Sequence, residues 1–117
     1  MRRIITLALT LSLPALANAT PYDGVFRPNY DFAESWDCTS IGMDGGAVAV
    51  EGDKLHGVEN TCTLTDPVEV RGMNATLYDA ECAAEGETAA ERVMLMAHEY
   101  GIYVIRNGFV SDWLRCE

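Results

Sequence analysis

Short runs of alternating apolar and polar residues dominate the second half of the chain, which is typical of β-strands. Two such runs flank Gly52-Asp53, a pair that suits the two-residue turn of a β-hairpin. The register that follows places Val50 opposite Leu55 on one face and Ala49 opposite His56 on the other. We therefore predict an antiparallel hairpin centred on this turn.

The C-terminal region carries the clearest hairpin pattern, because Asn107-Gly108 separates two apolar runs and both residues tolerate the positive φ of a tight turn. The predicted register places Ile105 opposite Val110. We expect this side, which Leu114 and Cys116 share, to face the core. The opposite side is apolar too, which indicates a hairpin covered on both faces. That side holds Ile102, Val104, Phe109 and Trp113.

Residues 88–100 fit two structures. Thr88-Ala89-Ala90-Glu91 has the spacing of a helix capping box, and good helix formers follow as far as Gly101. However, Val93–Ala97 ends shortly before a strong strand and can pair with it as a meander. We favour the strand, because neighbouring strands would otherwise lose a partner, and keep one short helix as the alternative.

The predicted fold class is all-β and mainly antiparallel. Shorter patterns at Gly24–Arg27, Thr61–Leu64 and Ala75–Cys82 indicate further strands, and Asp66-Pro67 breaks the chain between the last two. Because the connections are short, we expect a small barrel or sandwich stapled by disulfides. The chain length allows one such domain.

The N-terminus has the pattern of a cleavable signal peptide. Met1–Arg3 is positive, Ile4–Leu13 is uncharged and mostly apolar, and Ala17-Asn18-Ala19 offers a cleavage site. A membrane-spanning helix needs about 20 apolar residues, so we expect no stable membrane anchor. The prediction is a signal peptide at 1–19 and a single domain at 20–117, exported to the periplasm or secreted.

Four cysteines lie in the predicted mature domain, namely Cys38, Cys62, Cys82 and Cys116. An even set in a small exported chain predicts two disulfides. No CxxC pair is present, so a zinc ribbon or a thioredoxin-like site is not expected. Of the three pairings, we favour Cys38–Cys62 with Cys82–Cys116, since each bridge would then tie an irregular or terminal piece to a strand.

The chain is strongly acidic. Its formal charge of −10 becomes −12 for residues 20–117, because Arg2 and Arg3 leave with the signal peptide. Such a field repels phosphate backbones and anionic lipid, so we expect no nucleic-acid or membrane-surface role. It attracts cations or a basic protein, although solubility alone also explains an acidic surface. The densest acidic cluster, and our choice of partner contact, comprises Glu81, Glu85, Glu87 and Glu91.

Residues that could carry chemistry form no recognisable catalytic motif. His56 and His98 lack metal-ligand spacing, and we expect His56 to be exposed and His98 to lie in a surface loop. The acidic cluster has no DxDxDG pattern, so it does not specify a calcium site. We therefore expect no catalytic residue, no metal site and no cofactor. The sequence leaves the oligomeric state open.

Three short motifs carry a resemblance, namely Glu59-x-x-Cys62-x-Leu64, Cys82-x-x-Glu85-Gly86-Glu87 and Trp113-x-Arg115-Cys116. In these the chain resembles small exported four-cysteine bacterial proteins of undetermined function. The resemblance implies a Gram-negative periplasmic setting and a compact β domain, and it transfers no catalytic residue. In general shape the chain is also similar to periplasmic inhibitors of lysozyme or proteases, which are small disulfide-bearing β-barrels.

These observations favour a non-enzymatic periplasmic or secreted binding domain. The alternative is an acidic inhibitor that binds a basic hydrolase such as lysozyme or a protease. Its negative surface would then complement the hydrolase and speed their association.

Overall fold

A computed structural model describes residues 19–117, where eight strands form a closed antiparallel barrel. Each strand pairs with its neighbours in sequence, and the last strand returns to the first. The strands are β1 (Gly24–Pro28), β2 (Val48–Glu51), β3 (Lys54–Gly57), β4 (Asn60–Glu69), β5 (Ala75–Ala84), β6 (Glu87–His98), β7 (Gly101–Arg106) and β8 (Phe109–Arg115). The predicted all-β, antiparallel fold is thereby confirmed, and it is a barrel.

One 3-10 turn, Asp31–Ala33, is the helical element of residues 19–117. Over the same residues we find no helix with the length and apolar character needed to span a bilayer. The predicted signal peptide lies outside the described residues except for Ala19.

Both predicted hairpin registers are confirmed. Val50 pairs with Leu55 between β2 and β3, and Ile105 pairs with Val110 between β7 and β8. A two-residue turn leaves little choice of register, since the flanking residues must close the first pair. These turns therefore specify the local pairing without reference to the rest of the barrel.

The strand interpretation of residues 88–100 is also confirmed. β6 pairs with β5 at ten positions and with β7 from Val93 onwards. Val93 and Leu95 are fully buried in the barrel interior. Helix propensity is a weak preference, and here the pairing and burial of a central strand outweigh it.

The core fills the barrel interior. Its largest fully buried side chains come from six of the eight strands: Phe26, Val50, Leu55, Cys62, Val93, Leu95, Ile102 and Val104. Eight-stranded barrels of this size are just wide enough for such side chains to meet at the axis. The barrel interior is therefore a packed core.

The predicted core face of the C-terminal hairpin is wrong. Ile102, Val104 and Trp113 point into the core, whereas Val110, on the predicted core face, is 52% exposed. Leu114 shares that outer face and is half-buried. Because both faces are apolar, the alternation fits either orientation, and only closure of β8 onto β1 decides between them.

Two disulfides form, as predicted, but the favoured pairing is wrong. The bridges are Cys38–Cys116 and Cys62–Cys82. Cys62 lies directly opposite Cys82 because β4 and β5 are neighbours in the barrel. The strand β8 lies beside β1, so the chain that follows β1 brings Cys38 to the C-terminus. Both pairings depend on strand adjacency.

The long connection between β1 and β2 is organised by Asp37. Its carboxylate accepts hydrogen bonds from the backbone N–H groups of Thr39 and Ser40, at 2.8 and 2.9 Å, and from the Ser40 hydroxyl at 2.7 Å. These bonds favour the charged form and lower the pKa of Asp37 from 3.8 to about 2. The turn thus fixes the backbone beside Cys38.

Candidate functional site

The hairpin of β5 and β6 carries all four predicted contact residues. Glu87 pairs with Ala84, and Glu91 pairs with the buried Ala80, so both glutamates lie on the side of the hairpin that continues the barrel interior. Glu81 pairs with Ala90 on the outer side, and Glu85 lies in the turn. The structure therefore brings the four carboxylates to one hairpin but divides them between its two faces.

Three of these carboxylates have no compensating cation in residues 19–117. Glu91 is paired, because its Oε1 lies 3.2 Å from Nε of Arg106. No ion pair involves the other three, Glu81, Glu85 and Glu87. The nearby Arg92 is occupied by Asp79, with Nε 3.3 Å from Oδ1. The hairpin is therefore a strongly negative projection.

This hairpin extends past β7 and β8, whereas on its other side β4 accompanies β5 as far as Ala83. β6 pairs with β5 from Glu87, but its pairing with β7 begins at Val93, opposite Arg106. The chain turns back at Asn107-Gly108, so β7 and β8 stop there. Glu87–Arg92 consequently has β5 on one side and no strand on the other within the described residues, and all six of its residues are exposed.

A groove of about 520 Å³ lies on the outer face of the same hairpin. Its lining includes four acidic residues, namely Asp66, Asp79, Glu81 and Glu91. Ala90 and Arg92 of β6 form its border. The acidic character of the hairpin therefore continues from its turn into an open concave surface.

The opposite end of the barrel has an open cavity of about 1630 Å³. It lies between Thr20–Tyr22, the turn at Gly52-Asp53 and the loop between β4 and β5. At its base the Tyr22 and Thr76 hydroxyls hydrogen-bond each other at 2.7 Å. Burial raises the pKa of Tyr78, which therefore remains a neutral phenol. The Tyr22 and Thr76 hydroxyls thus satisfy each other at this mouth.

The prediction for His98 is wrong, because this residue ends β6 and its side chain is only 17% exposed. Its Nε2–H donates to Oδ1 of Asp112 at 2.8 Å, and its Nδ1 accepts from the Tyr100 backbone N–H at 3.2 Å. Asn29 donates to the other oxygen of Asp112 at 2.9 Å. Both ring nitrogens are therefore hydrogen-bonded, and the pair of His98 and Asp112 ties β6 to β8.

His56 is partly buried, with 23% of its side chain exposed, and so is less exposed than predicted. Its Nδ1 lies 3.3 Å from the Thr61 hydroxyl, and its Nε2 lies 3.8 Å from a Glu51 carboxylate oxygen. These contacts link β3 to β4 through Thr61 and to β2 through Glu51, and they are typical of a histidine on the surface of a strand.

Cys62, Cys82 and Glu91 place three potential ligand atoms within 4.8 Å of one another. Both sulfurs are joined in a disulfide, so neither is the thiolate that a metal needs. This group is a structural staple at the base of the projecting hairpin.

Sequence reasoning missed both the open edge of β6 and the His98–Asp112 pair. The open edge results from unequal strand lengths, and a period-2 pattern does not report where a neighbour ends. Asp112 lies on β8, two strands away from β6, so no local spacing links it to His98.

Comparisons of the chain with protein-family models, with curated proteins and with solved structures found no match.

Proposed function

We propose that this protein is a non-enzymatic binding domain of the periplasm or extracellular space, and that it binds a cationic protein through the hairpin of β5 and β6. The observation that carries the proposal is the projection of this hairpin past β7 and β8 with three uncompensated carboxylates. The open side of this hairpin is accessible to a partner without any change in the fold.

The overall charge supports the same conclusion. A small domain needs a net charge of about 2–8 for solubility, whereas residues 20–117 carry −12. An excess of one sign raises the local concentration of an oppositely charged partner and accelerates association. The two disulfides are consistent with an oxidising compartment outside the cytoplasm.

A second candidate is an inhibitor of a basic hydrolase such as lysozyme or a protease. The observation in its favour is the shape of the hairpin, which extends past β7 and β8, has an open edge on that side and is negatively charged at its turn. Such a projection fits a cationic cleft better than a flat surface does. Inhibition of the hydrolase, rather than binding alone, distinguishes this candidate.

The test measures binding of the protein beginning at Thr20 to a panel of basic secreted proteins, lysozyme included. Binding is compared at ionic strengths of about 0.01 and about 0.15 M, where the Debye length falls from about 30 to about 8 Å. We expect binding that weakens as salt rises. Failure of every panel member to bind at low salt would refute the proposal.

A charge-matched pair of variants locates the contact. The test variant is E81Q/E85Q/E87Q, and its control is E34Q/E99Q/E117Q, which removes the same charge from exposed positions elsewhere. We expect the test variant to lose binding and the control to keep most of it, because only the test variant removes carboxylates that would touch the partner. Equal losses would assign the effect to net charge and overturn the hairpin as the site.

A further inference from the structure

The hairpin turns reveal which backbone groups of Glu87–Arg92 face the open side. The residues that flank a two-residue turn form a closing hydrogen-bonded pair, so Glu87 directs its N–H and C=O towards β5. Alternate residues of a strand direct these groups to opposite sides. The turn at Glu99-Tyr100 agrees, since it makes His98 face β7. The open side therefore receives the N–H and C=O groups of Thr88, Ala90 and Arg92.

No loop covers these groups in the part of the chain that the structure describes. Outside the strand ladders, its backbone hydrogen bonds involve none of residues 87–92. The segment pairs regularly with β5 throughout, so its backbone remains extended. It thus presents a straight row of donors and acceptors, the surface to which an added strand binds.

The open edge of β4 differs in this respect. β4 continues past the last residue paired with β3, but its register shifts between Thr65 and Val68. Asp66 there has a φ of +52°, and Pro67 has no N–H to donate. Bulges and prolines are the means by which natural edges avoid pairing. The edge of β6 has neither, so of the two it is the one suited to pairing.

We infer that Glu87–Arg92 binds an extended segment of a partner as an additional strand, and that this segment has basic side chains at alternate positions. The inference rests on the proposed function and specifies its mode of recognition. Paired residues share a face, so a basic residue opposite Glu87 would approach a carboxylate that has no ion pair in the described chain, and one opposite Glu91 would approach the carboxylate that Arg106 also contacts. A second copy of this chain is a poorer occupant. An antiparallel two-fold pairing centred on Ala89 would place Glu87 of one copy opposite Glu91 of the other, so like charges would face each other.

The probe is a blocked eight-residue peptide that alternates lysine and valine. When lysine is opposite Glu87, the valine N–H groups point towards β6 and the lysine N–H groups point away. We expect N-methylation of the valine amides to weaken binding about tenfold or more, since hydrogen bonds to the edge are lost. N-methylation of the lysine amides is the matched control, and it should leave the affinity within about twofold.

A pair of variants tests the same edge from the protein side. Ala90→Pro removes one N–H from the open side and spares the pairing with β5, a position where edge strands tolerate proline. Ala90→Val keeps the N–H. We expect the proline variant to bind the unmodified peptide about fivefold or more weakly and the valine variant to bind it normally. Circular dichroism checks both folds, and if the proline variant is unfolded the peptide pair decides.

The outcomes separate this inference from the proposed function. Equal affinities for the two N-methylated peptides, or absence of peptide binding at low salt, would overturn strand addition. The proposed function would still stand if the E81Q/E85Q/E87Q variant lost a basic protein partner. A dimer that dissociates on Ala90→Pro would assign the edge to a second copy and likewise overturn the inference.

Discussion

Removal of the Cys38–Cys116 bridge tests whether long-range closure stabilises this barrel. The bridge joins residues separated by 78 positions, whereas Cys62–Cys82 joins residues separated by 20. In the chain-entropy model, loops of these lengths correspond to stabilisation of about 4.5 and about 3.3 kcal/mol, because a longer closed loop restricts the unfolded chain more. We therefore expect C38A/C116A to lower the free energy of unfolding by about 4–5 kcal/mol.

The longer bridge is the cleaner test, because its cysteines are both half-buried. Cys62 is fully buried, so alanine at that position would add a packing loss to the entropic one. A loss of 4–5 kcal/mol corresponds to a fall in Tm of about 20–35 °C for a domain of this size. C38S/C116S serves as a control, since a loss that arises in the unfolded chain should be the same for serine and alanine.

The assay is reversible urea unfolding of the oxidised wild type and the double variants, each beginning at Thr20. Non-reduced peptide mapping first checks that the wild type contains Cys38–Cys116 and Cys62–Cys82. A loss below about 1 kcal/mol for C38A/C116A would contradict the entropic argument. A different pairing in the peptide map would contradict the strand order on which the argument depends.

Three further predictions concern backbone packing, the loop and export. Gly101→Ala should lower stability by about 1–3 kcal/mol, because a Cβ there would overlap the carbonyl oxygen of Trp113, and thermal unfolding would reveal it. Asp37 should titrate with a midpoint near 2 by NMR. Its contribution to the stability of the fold is complete above its ordinary pKa of 3.8 and should disappear as pH falls through that midpoint. A midpoint near 3.8 would count against the hydrogen bonds of its turn. Mass spectrometry of exported protein should find Thr20 as the first residue, whereas a full-length cytoplasmic product would contradict the signal peptide.

The local pattern of the sequence determined the fold class and two hairpin registers. Gly52-Asp53 and Asn107-Gly108 each place a two-residue turn between alternating runs, and such a turn defines which residues pair across it. The even cysteine count likewise predicted two disulfides. These features depend on residues close in sequence or on composition alone, so they can be predicted without knowledge of the barrel.

Barrel closure decided the remaining features. Both faces of the C-terminal hairpin are apolar, so the inward position of Trp113 follows from the pairing of β8 with β1. The same pairing brings Cys38 to Cys116, and strand adjacency brings Asp112 near His98. Unequal strand lengths leave Glu87–Arg92 paired with β5 on one side and without a strand on the other in the described chain. Each of these contacts joins residues distant in sequence, and its position depends on strand order, which short-range turn and alternation patterns do not encode.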